Sequence, residues 1–338
     1  MHPTEKDNII VWNARKKGWY EVWYCKFNDP ARNLAVWLRY TLHIPVEGMG
    51  EPIGELWAIM FEKGNPSFNC AFKKSFPMEE VEYSRDYFML KIHESTISHT
   101  GLRGSIGDPK TDGISWDLKI APAETTFRHL PAEIMYRAPL PKTKVVSPNL
   151  SCRMTGSITA KNQVFNFDHV PGHQSHIWGT KHANRWAWAN CNIFQNAQNA
   201  VLEALSARVR VKNTVLPSVT VLLVRYDNKE LTFNTFKDLS SPLQTNFDVH
   251  KWILEAEDSN HIVKVFITSN PADMVGVHYK DPDGEAKYCH NTNVADVRVH
   301  IYKKSLLDTE LVRELIASGT CAYEVATPEP SSEVRILI

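Results

Sequence analysis

A short segment between Pro171 and Asn192 concentrates the side chains that could bind and transform a small molecule. Three histidines and three tryptophans lie within it: His173, His176, His182, Trp178, Trp186 and Trp188. An indole ring offers an apolar face that stabilises positive charge. An imidazole gains or loses its proton near neutral pH, so it can serve as a general acid or base. The segment therefore predicts a small-molecule site with the means for proton transfer.

The second part of this segment alternates large and small side chains, as a β-strand does. One face of a strand from Arg185 carries Trp186, Trp188, Asn190, Asn192 and Phe194, and the other face carries Ala187, Ala189, Cys191 and Ile193. Two indoles followed by two carboxamides combine apolar area with a few fixed hydrogen bonds, as ligand sites do. Trp186, Trp188, Asn190 and Asn192 are therefore predicted to bind substrate. The alternative is a core strand with hydrogen-bonded amides.

The first part of the segment is predicted to be a loop, because Gly172 and Gly179 bracket it. Its side chains would then reach the mouth of a cavity. We predict a catalytic role for His176 and substrate contact for His173 and Trp178, with structural hydrogen bonding as the alternative. Neither a helical His-x-x-x-His spacing nor a carboxylate motif accompanies the histidines, so we expect no metal site.

The candidate proton donors among the carboxylates are Glu55 or Glu62 in the first half of the chain, and Asp168. Glu55 shares a strand face with Trp57, Ile59 and Phe61, so burial of that face would desolvate its carboxylate and raise its pKa. A raised pKa suits a general acid, whereas a solvent-exposed charge at the strand end is the alternative. Asp168, just before the histidine segment, is the second candidate. Trp57 is predicted to contact the substrate.

The composition excludes several classes of protein. Lys plus Arg equals Asp plus Glu at 38 each, so no basic field favours nucleic acid as a partner. The chain has neither glycine-rich nucleotide motif nor a Gly-x-Ser-x-Gly elbow, so we expect no nucleotide cofactor and no serine hydrolase. Six cysteines without a Cys-x-x-Cys pair indicate free thiols. No signal-peptide core and no run of ~20 apolar residues is present, which predicts a cytoplasmic protein.

The elements that would position these residues are mainly short antiparallel strands. Trp19–Phe27, Val36–Ile44 and Gly54–Glu62 show the clearest strand pattern. Further strands are predicted at Phe68–Phe72, Tyr87–Ile92, Gly101–Ile106, Ile114–Ile120, Gly156–Thr159, Val164–His169, Ser206–Lys212, Ser218–Tyr226, Glu230–Phe236, Ile262–Thr268 and Val297–Lys303.

A proline-punctuated stretch from Pro122 to Leu150 predicts a boundary between domains 1–150 and 151–338. Leucines at helical spacing in Ser305–Ser318, followed by Gly319, predict one late helix. Two runs of short strands with few helices favour two barrels or a large sandwich.

Three motifs carry a resemblance to a known family: His176-Ile-Trp-Gly179, Arg185-Trp-Ala-Trp188 and Asn190-Cys-Asn-Ile-Phe194. They resemble the family that includes tocopherol cyclase, the carotenoid 1,2-hydratases (hydroxyneurosporene synthases) and fungal Diels–Alderase-like proteins. Weaker likeness at Trp37–Leu42, Gly54–Ile59 and Ile114–Leu118 extends it over most of the chain. The chain departs from the carotenoid hydratases in lacking a match to their carboxylate-containing site.

The resemblance implies an all-β protein of two tandem lipocalin-like (calycin) antiparallel barrels, one domain in each half of the chain. It also implies a cofactor-independent cyclase, isomerase or hydratase of isoprenoid or secondary metabolism, which acts by general acid catalysis in a β-barrel cavity. The alternative is a non-catalytic carrier for the same class of ligand. The expected partner is an apolar isoprenoid, polyene or polyketide; transient membrane contact and a homodimer stay open.

Overall fold

Antiparallel β-strands form most of the protein in the computed structural model, which describes residues 1–123, 125–208, 210–211, 214–215, 218–236, 245–305 and 308–338. The first twelve strands are β1 Trp19–Asp29, β2 Leu34–Ile44, β3 Ile53–Glu62, β4 Cys70–Pro77, β5 Val81–Tyr83, β6 Met89–Ile92, β7 Ser95–Ser98, β8 Gly101–Ile106, β9 Ile114–Ala121, β10 Phe127–Arg128, β11 Thr143–Ala160 and β12 Gln163–Gly179. The three strands predicted most clearly correspond to β1, β2 and β3.

The second set of strands follows after a short connection. These strands are β13 Arg185–Cys191, β14 Val201–Arg208, β15 Arg210–Val211, β16 Thr214–Val215, β17 Val219–Tyr226, β18 Lys229–Phe233, β19 Thr245–Phe247, β20 Lys251–Glu257, β21 His261–Thr268, β22 Val275–Lys280, β23 Ala286–Lys304 and β24 Thr309–Thr327. The helical elements whose bounds lie within the described residues are the turn α1 at Ile134–Arg137 and 3₁₀ turns at Glu5–Asn8, Pro30–Arg32, Met78–Glu80 and Pro271–Asp273. None of these helices has the length and apolar character needed to span a bilayer.

The strands form two large sheets that curl into tandem lipocalin-like barrels, as predicted. The first barrel is a 12-stranded sheet in the order β4-β3-β2-β1-β12-β11-β9-β8-β7-β6-β5, with β10 beside β11. The second barrel is a 10-stranded sheet in the order β18-β17-β14-β13-β24-β23-β21-β20-β19, with β22 beside β23. Curling brings the apolar inner face of each sheet onto itself, so that each barrel has its own core.

Strand β1 illustrates why both of its faces are aromatic. Trp23 and Phe27 point into the core of the first barrel. Tyr20 and Tyr24, on the opposite face, join a separate apolar cluster that packs the outer face of the first barrel against the second. Neighbouring side chains of a strand point to opposite faces, so a strand between a core and an interface needs apolar residues on both. Burial of such a ring contributes about 1.5–3 kcal/mol.

The chain passes from the first sheet to the second between Gly179 and Arg185. The boundary predicted near residue 150 falls inside β11, which pairs with β9 and β12 of the first sheet. The proline-rich stretch before it connects β9 to β11 and contributes α1 and the short strand β10. The prolines therefore mark a long connection within the first sheet.

The late helix predicted at Ser305–Ser318 is wrong, because Thr309–Thr327 forms the long strand β24 between β13 and β23. Within it Leu315 and Ala317 are buried while Leu311 is exposed. Pairing on both sides overrides the local helical spacing of the leucines. Leu306 and Leu307 of that prediction, and Val209 and Lys212 of the predicted strand Ser206–Lys212, lie outside the described residues.

Candidate functional site

A cleft of about 160 Å³ opens between the outer faces of the two barrels. We call it the inter-barrel cleft. It is lined by Tyr20, Arg39, Thr41, His43, Ile53, Glu55, Trp57, Lys73, His182, His278, Tyr279 and Lys280. The residues come from β1 to β4 of the first barrel, from β22 of the second and from the connection between the barrels. The inner faces of both barrels are occupied by their own apolar cores.

Strand register explains why chemically different residues converge there. Arg39 of β2 lies opposite Trp57 of β3, and Trp57 lies opposite Lys73 of β4. Directly opposite residues in an antiparallel sheet project to the same face. Three directly opposite residues on neighbouring strands therefore place the Arg39 guanidinium, the Trp57 indole and the Lys73 ammonium at the cleft. The next row adds Thr41 and Glu55.

Two cations of the cleft lie over aromatic rings. The guanidinium carbon of Arg39 is 4.3 Å from the centre of the Tyr279 ring and 5.2 Å from that of Trp57. The Nζ of Lys73 is 3.9 Å from the Trp57 ring centre. Ring faces attract cations through their quadrupole, more strongly when water is excluded. Arg39 belongs to the first barrel and Tyr279 to the second, so this contact also joins the barrels.

Glu55 is buried at the edge of the cleft, with about 8% of its surface exposed. Its carboxylate forms an ion pair with Lys73 Nζ at 2.9 Å, and Ser75 Oγ donates to it at 3.4 Å. The predicted location in a buried aromatic environment is therefore observed. A carboxylate that is ion-paired with an ammonium suits a proton acceptor better than the predicted proton donor.

An imidazole and a carboxylate form a dyad at the cleft. His182 Nδ1 lies 2.6 Å from Asp281 Oδ1, and the backbone N–H of His182 donates to the same oxygen at 2.9 Å. The imidazole stacks on Tyr20, with 4.0 Å between the ring centres, and lies parallel to Trp186 at 5.5 Å. A carboxylate acceptor at Nδ1 leaves Nε2 as the nitrogen able to exchange a proton with a ligand.

Trp186 borders the cleft from the second barrel. Its ring is parallel to Tyr279 at 6.4 Å, and its Nε1 donates to Glu324 Oε1 at 2.6 Å. Trp186 and Trp188 belong to the interface between the barrels, on the face predicted for them. The strand ends at Cys191, however, and Phe194 of the same predicted face belongs to the core of the second barrel. The alternating residues Ala187, Ala189 and Cys191 belong to the core of the second barrel.

Deeper between the barrels, a second group of predicted residues forms a buried hydrogen-bond network. Glu203 accepts from Trp188 Nε1 at 2.9 Å and from Asn190 Nδ2 at 3.0 Å, and it lies 3.0 Å from His129 Nε2. Burial alone would raise the pKa of Glu203, but the hydrogen bonds from His129 and Trp188 and the nearby His173 lower it overall. Trp188 and Asn190 thus donate hydrogen bonds to the buried carboxylate of Glu203, and none of these three residues lines the cleft. Asn192 donates to the Gly172 carbonyl at 2.7 Å.

His173 lies in this deeper region, beside Tyr24 and Trp188 at ring distances of 5.9 and 5.6 Å. Its Nε2 is 2.7 Å from Ser175 Oγ and its Nδ1 is 3.2 Å from the Leu150 carbonyl. Complete burial lowers the pKa of His173 to about 4, so the ring is neutral at physiological pH.

His176 and Trp178 lie inside the first barrel and not at the cleft. His176 Nε2 is 2.9 Å from Glu21 Oε1, and its Nδ1 is 2.7 Å from the Asp7 carbonyl. Trp178 belongs to the core cluster of the first barrel. The loop predicted for these residues is wrong, because they form the end of β12, where successive side chains point to opposite faces. His173 therefore faces the second barrel while His176 faces the first barrel's interior.

Asp168 is exposed on the surface of the first barrel. Its side chain is 86% exposed and contacts the neighbouring His169 at 2.5 Å. The structure thus brings Glu55 and Trp57 together in the cleft lining, with Trp186 packed behind the lining residues His182 and Tyr279. It places His173, Trp188, Asn190 and Asn192 deeper between the barrels, and it separates His176, Trp178 and Asp168 from both groups.

Sequence reasoning missed Arg39, Tyr279 and the dyad partner Asp281. Asp281 is 99 positions from His182, and no local spacing connects the two. The one usable signal was Arg39 within a strand of otherwise apolar character.

The fold and the cleft define a tandem lipocalin-like β-barrel protein with a candidate site between its barrels. The chain belongs to the tocopherol cyclase-like family, whose model matches residues 62–327. It is 22% identical over 284 residues to an uncharacterised protein of Mycobacterium tuberculosis, covering 84% of this chain and 82% of that one. It is 26% identical over 160 residues to a probable chloroplastic tocopherol cyclase of Oryza sativa subsp. japonica, covering 44% of this chain but 32% of the plant protein.

Solved structures share the fold over nearly the whole chain. CghA with Sch210972 superposes with a TM-score of 0.58 at 8% identity, covering 97% of this chain and 93% of that chain. Kievitone hydratase from Nectria haematococca superposes with a TM-score of 0.50 at 11% identity, covering 97% of this chain and 98% of that chain. At these identities the likeness establishes the architecture alone.

Proposed function

We propose that this protein is a cofactor-independent enzyme of isoprenoid or secondary metabolism that cyclises, isomerises or hydrates an apolar substrate in the inter-barrel cleft. The observation that carries the proposal is the presence of two proton-transfer groups, Glu55 and His182, in one cleft with aromatic walls. Membership of the tocopherol cyclase-like family supports it. So does the shared architecture with a protein named kievitone hydratase.

The roles of the two groups follow from their partners. Adding an O–H group across a C=C bond transfers one proton to carbon and removes one from oxygen, with no net oxidation. Glu55 is ion-paired with Lys73, and we assign to it the removal of the proton from the substrate hydroxyl or from water. Asp281 orients His182 through Nδ1, and His182 gives a proton to carbon from Nε2. The proton then passes from Glu55 back to His182 through water at the open cleft.

The aromatic walls serve the intermediate of this reaction. Protonation of an alkene places positive charge on carbon, and ring faces stabilise such charge. Trp57 and Tyr279 line the cleft, and the Trp186 ring lies parallel to that of Tyr279. His176 and Asp168 have no part in this mechanism, because neither lines the cleft.

The alternative function is a carrier for the same kind of ligand. The Glu55–Lys73 ion pair favours it, because a partnered carboxylate is also what a purely structural site contains. A carrier would return its ligand unchanged.

The test compares conversion and binding in the same samples. Wild-type protein and the variants Glu55→Gln, His182→Gln and Asp168→Asn are incubated with a lipid extract from a strain of the source organism that lacks the gene. Mass spectrometry then follows precursors that disappear and products that have the same mass or contain one additional water. Asp168→Asn is the matched control, since it removes a carboxylate outside the cleft.

We expect wild type and Asp168→Asn to convert the same compound. Glu55→Gln and His182→Gln should still bind it, but their conversion rates should fall by a factor of about 100 or more, the usual contribution of a general acid or base. Equal conversion by all four proteins would remove Glu55 and His182 from the mechanism. A compound that is bound and returned unchanged by wild type would establish the carrier function.

A further inference from the structure

The inter-barrel cleft contains a buried cation without a carboxylate partner. Arg39 is 6% exposed. Its Nε donates to Thr41 Oγ1 at 2.8 Å, and its guanidinium packs on Tyr279 and Trp57. Among the described residues, no carboxylate oxygen lies within 4.0 Å of this guanidinium. Buried charges in proteins are ordinarily paired, because desolvating an unpaired one is costly.

A second donor in the same cleft also lacks a partner. The Nε1 of Trp57 is buried and has no hydrogen-bond partner in the described part of the chain. A buried donor left unsatisfied costs about 1–3 kcal/mol. The indole lies in the strand row of Arg39 and lines the cleft beside it. A ligand that accepts hydrogen bonds from both groups would remove both penalties.

The charges around these donors favour an anion. Arg39, Lys73 and Lys280 line the cleft, against the single carboxylate of Glu55, which Lys73 already neutralises. Burial lowers the pKa of the lining residues His43 and His278, which holds both neutral.

The other nearby carboxylates are engaged elsewhere. Asp281 holds His182, and Glu324 accepts from Trp186. Among the lining cations, Arg39 and Lys280 therefore have no ion-pair partner in the described part of the chain.

We propose that the inter-barrel cleft binds an anionic oxygen, a carboxylate or an ionised enol, carried on an apolar aromatic or polyene body, and that Arg39 and Trp57 hold this head group. The inference rests on the proposed function in locating the substrate in this cleft, and it specifies the substrate class. Arg39 is well suited to the head, because a planar guanidinium offers several donors in a fixed geometry that matches a carboxylate. The rings of Tyr20 and Tyr279 contact the adjoining part of the body.

The size of the cleft limits how much of the ligand it encloses. Its volume of about 160 Å³ is below the roughly 300–1,000 Å³ of sites that enclose a drug-sized ligand. The cleft therefore encloses the head and the first ring or double bonds. The rest of an isoprenoid or polyketide chain lies across the mouth between the barrels.

The experiment uses two probes that differ in charge but not in shape. 2-Naphthoate carries a carboxylate, and 2-naphthamide is its neutral counterpart. Calorimetry measures both dissociation constants on the wild-type protein and on Arg39→Gln, Arg39→Lys, Trp57→Phe and Asp168→Asn. Circular dichroism checks that each variant is folded.

We expect wild type and Asp168→Asn to bind naphthoate at least tenfold more tightly than naphthamide, and Arg39→Gln to bind the two within a factor of about two. Arg39→Lys should retain part of the preference, because it keeps the charge but not the planar fork. Trp57→Phe keeps an aromatic ring but removes the indole N–H donor, so the affinity for naphthoate should fall more than the affinity for naphthamide. This variant also tests the site if Arg39→Gln does not fold.

Three results would overturn the inference: equal affinity of wild type for the two probes, no naphthoate binding at millimolar concentration, or an undiminished preference in Arg39→Gln. Failure of the proposed function is a separate result, because these measurements involve no turnover. If the protein selects naphthoate through Arg39 but converts no substrate, the anion site is supported and the enzymatic function is refuted. If it converts a neutral substrate through Glu55 and His182 without this selectivity, the enzymatic function is supported and the anion site is refuted.

Discussion

His129 Nε2 lies 3.0 Å from Glu203 Oε1, and both side chains are fully buried between the barrels. His129 belongs to the connection between β10 and β11 of the first barrel, whereas Glu203 belongs to β14 of the second. Glu203 thus accepts hydrogen bonds from the first barrel and, through Trp188, from the second. The packing of the two barrels against each other therefore depends on this buried carboxylate.

Replacing Glu203 with alanine should lower the free energy of unfolding by about 3–5 kcal/mol, because removal of one member of a buried pair leaves the other members unsatisfied. Guanidinium unfolding monitored by tryptophan fluorescence measures the change. The exposed Asp168→Ala is the control and should lie within about 0.5 kcal/mol of wild type. A Glu203→Ala variant as stable as that control would contradict the structural role of the carboxylate.

His173 should make stability fall in acid. Its pKa of about 4 in the folded protein lies below the ordinary 6.5 of an imidazole, so between these values the unfolded chain binds a proton that the folded protein excludes. Stability therefore rises with pH across this interval and levels off above it. In His173→Gln the slope between about pH 4 and 6.5 should decrease, by up to about 1.4 kcal/mol per pH unit. Urea unfolding at several pH values measures both slopes, and parallel curves would refute the assignment.

His176 should matter for folding and not for the cleft. It contacts the buried carboxylate of Glu21 and stacks on Trp23, with 4.7 Å between the ring centres. His176→Ala should destabilise the protein by about 2–4 kcal/mol, because it removes a stacked ring and its hydrogen bonds from a packed core. Glu21 keeps the backbone N–H groups of Val11 and Trp12 as donors. Its affinity for 2-naphthoate should equal that of wild type. A large loss of affinity in a folded His176→Ala protein would place this histidine in the binding site.

The cysteines should differ in reactivity toward iodoacetamide. Cys70 is partly exposed, and the other five thiols are buried. Thiolate is the reactive form, and burial raises the pKa of Cys152 to about 12 and that of Cys25 well above its usual value. Mass spectrometry of the native protein should find Cys70 modified first and the others only after denaturation. Early labelling of Cys25 would indicate that the first barrel opens in the folded state.

The sequence predicted most of the fold because β-strands leave a local signal. The segments Trp19–Phe27, Val36–Ile44 and Gly54–Glu62 were located to within a few residues of β1, β2 and β3. The late helix failed because Leu311 and Leu315 satisfy a helical spacing locally, while the pairing that decides their structure comes from strands distant in sequence.

The candidate site was only partly predictable. Glu55 and Trp57 stood out because an acidic and an aromatic residue shared a strand face, and Trp186 stood out because large side chains alternate with small ones in its strand. Arg39 acquires its role from Tyr279, and His182 acquires its role from Asp281, through contacts that form only when the barrels dock. The loop expected around His176 is the end of β12, where one position decides which barrel a side chain faces.

The connection between Gly179 and Arg185 carries His182, which stacks on Tyr20 of the first barrel and hydrogen-bonds Asp281 of the second. The contacts of the imidazole therefore depend on the relative orientation of the two barrels. A rotation of one barrel against the other must break the stack or the hydrogen bond, so the cleft cannot widen without disturbing its own proton-transfer group. For the same reason this connection should tolerate a change of length poorly, whereas exposed hairpins such as the one at Lys161 and Asn162 should accept it.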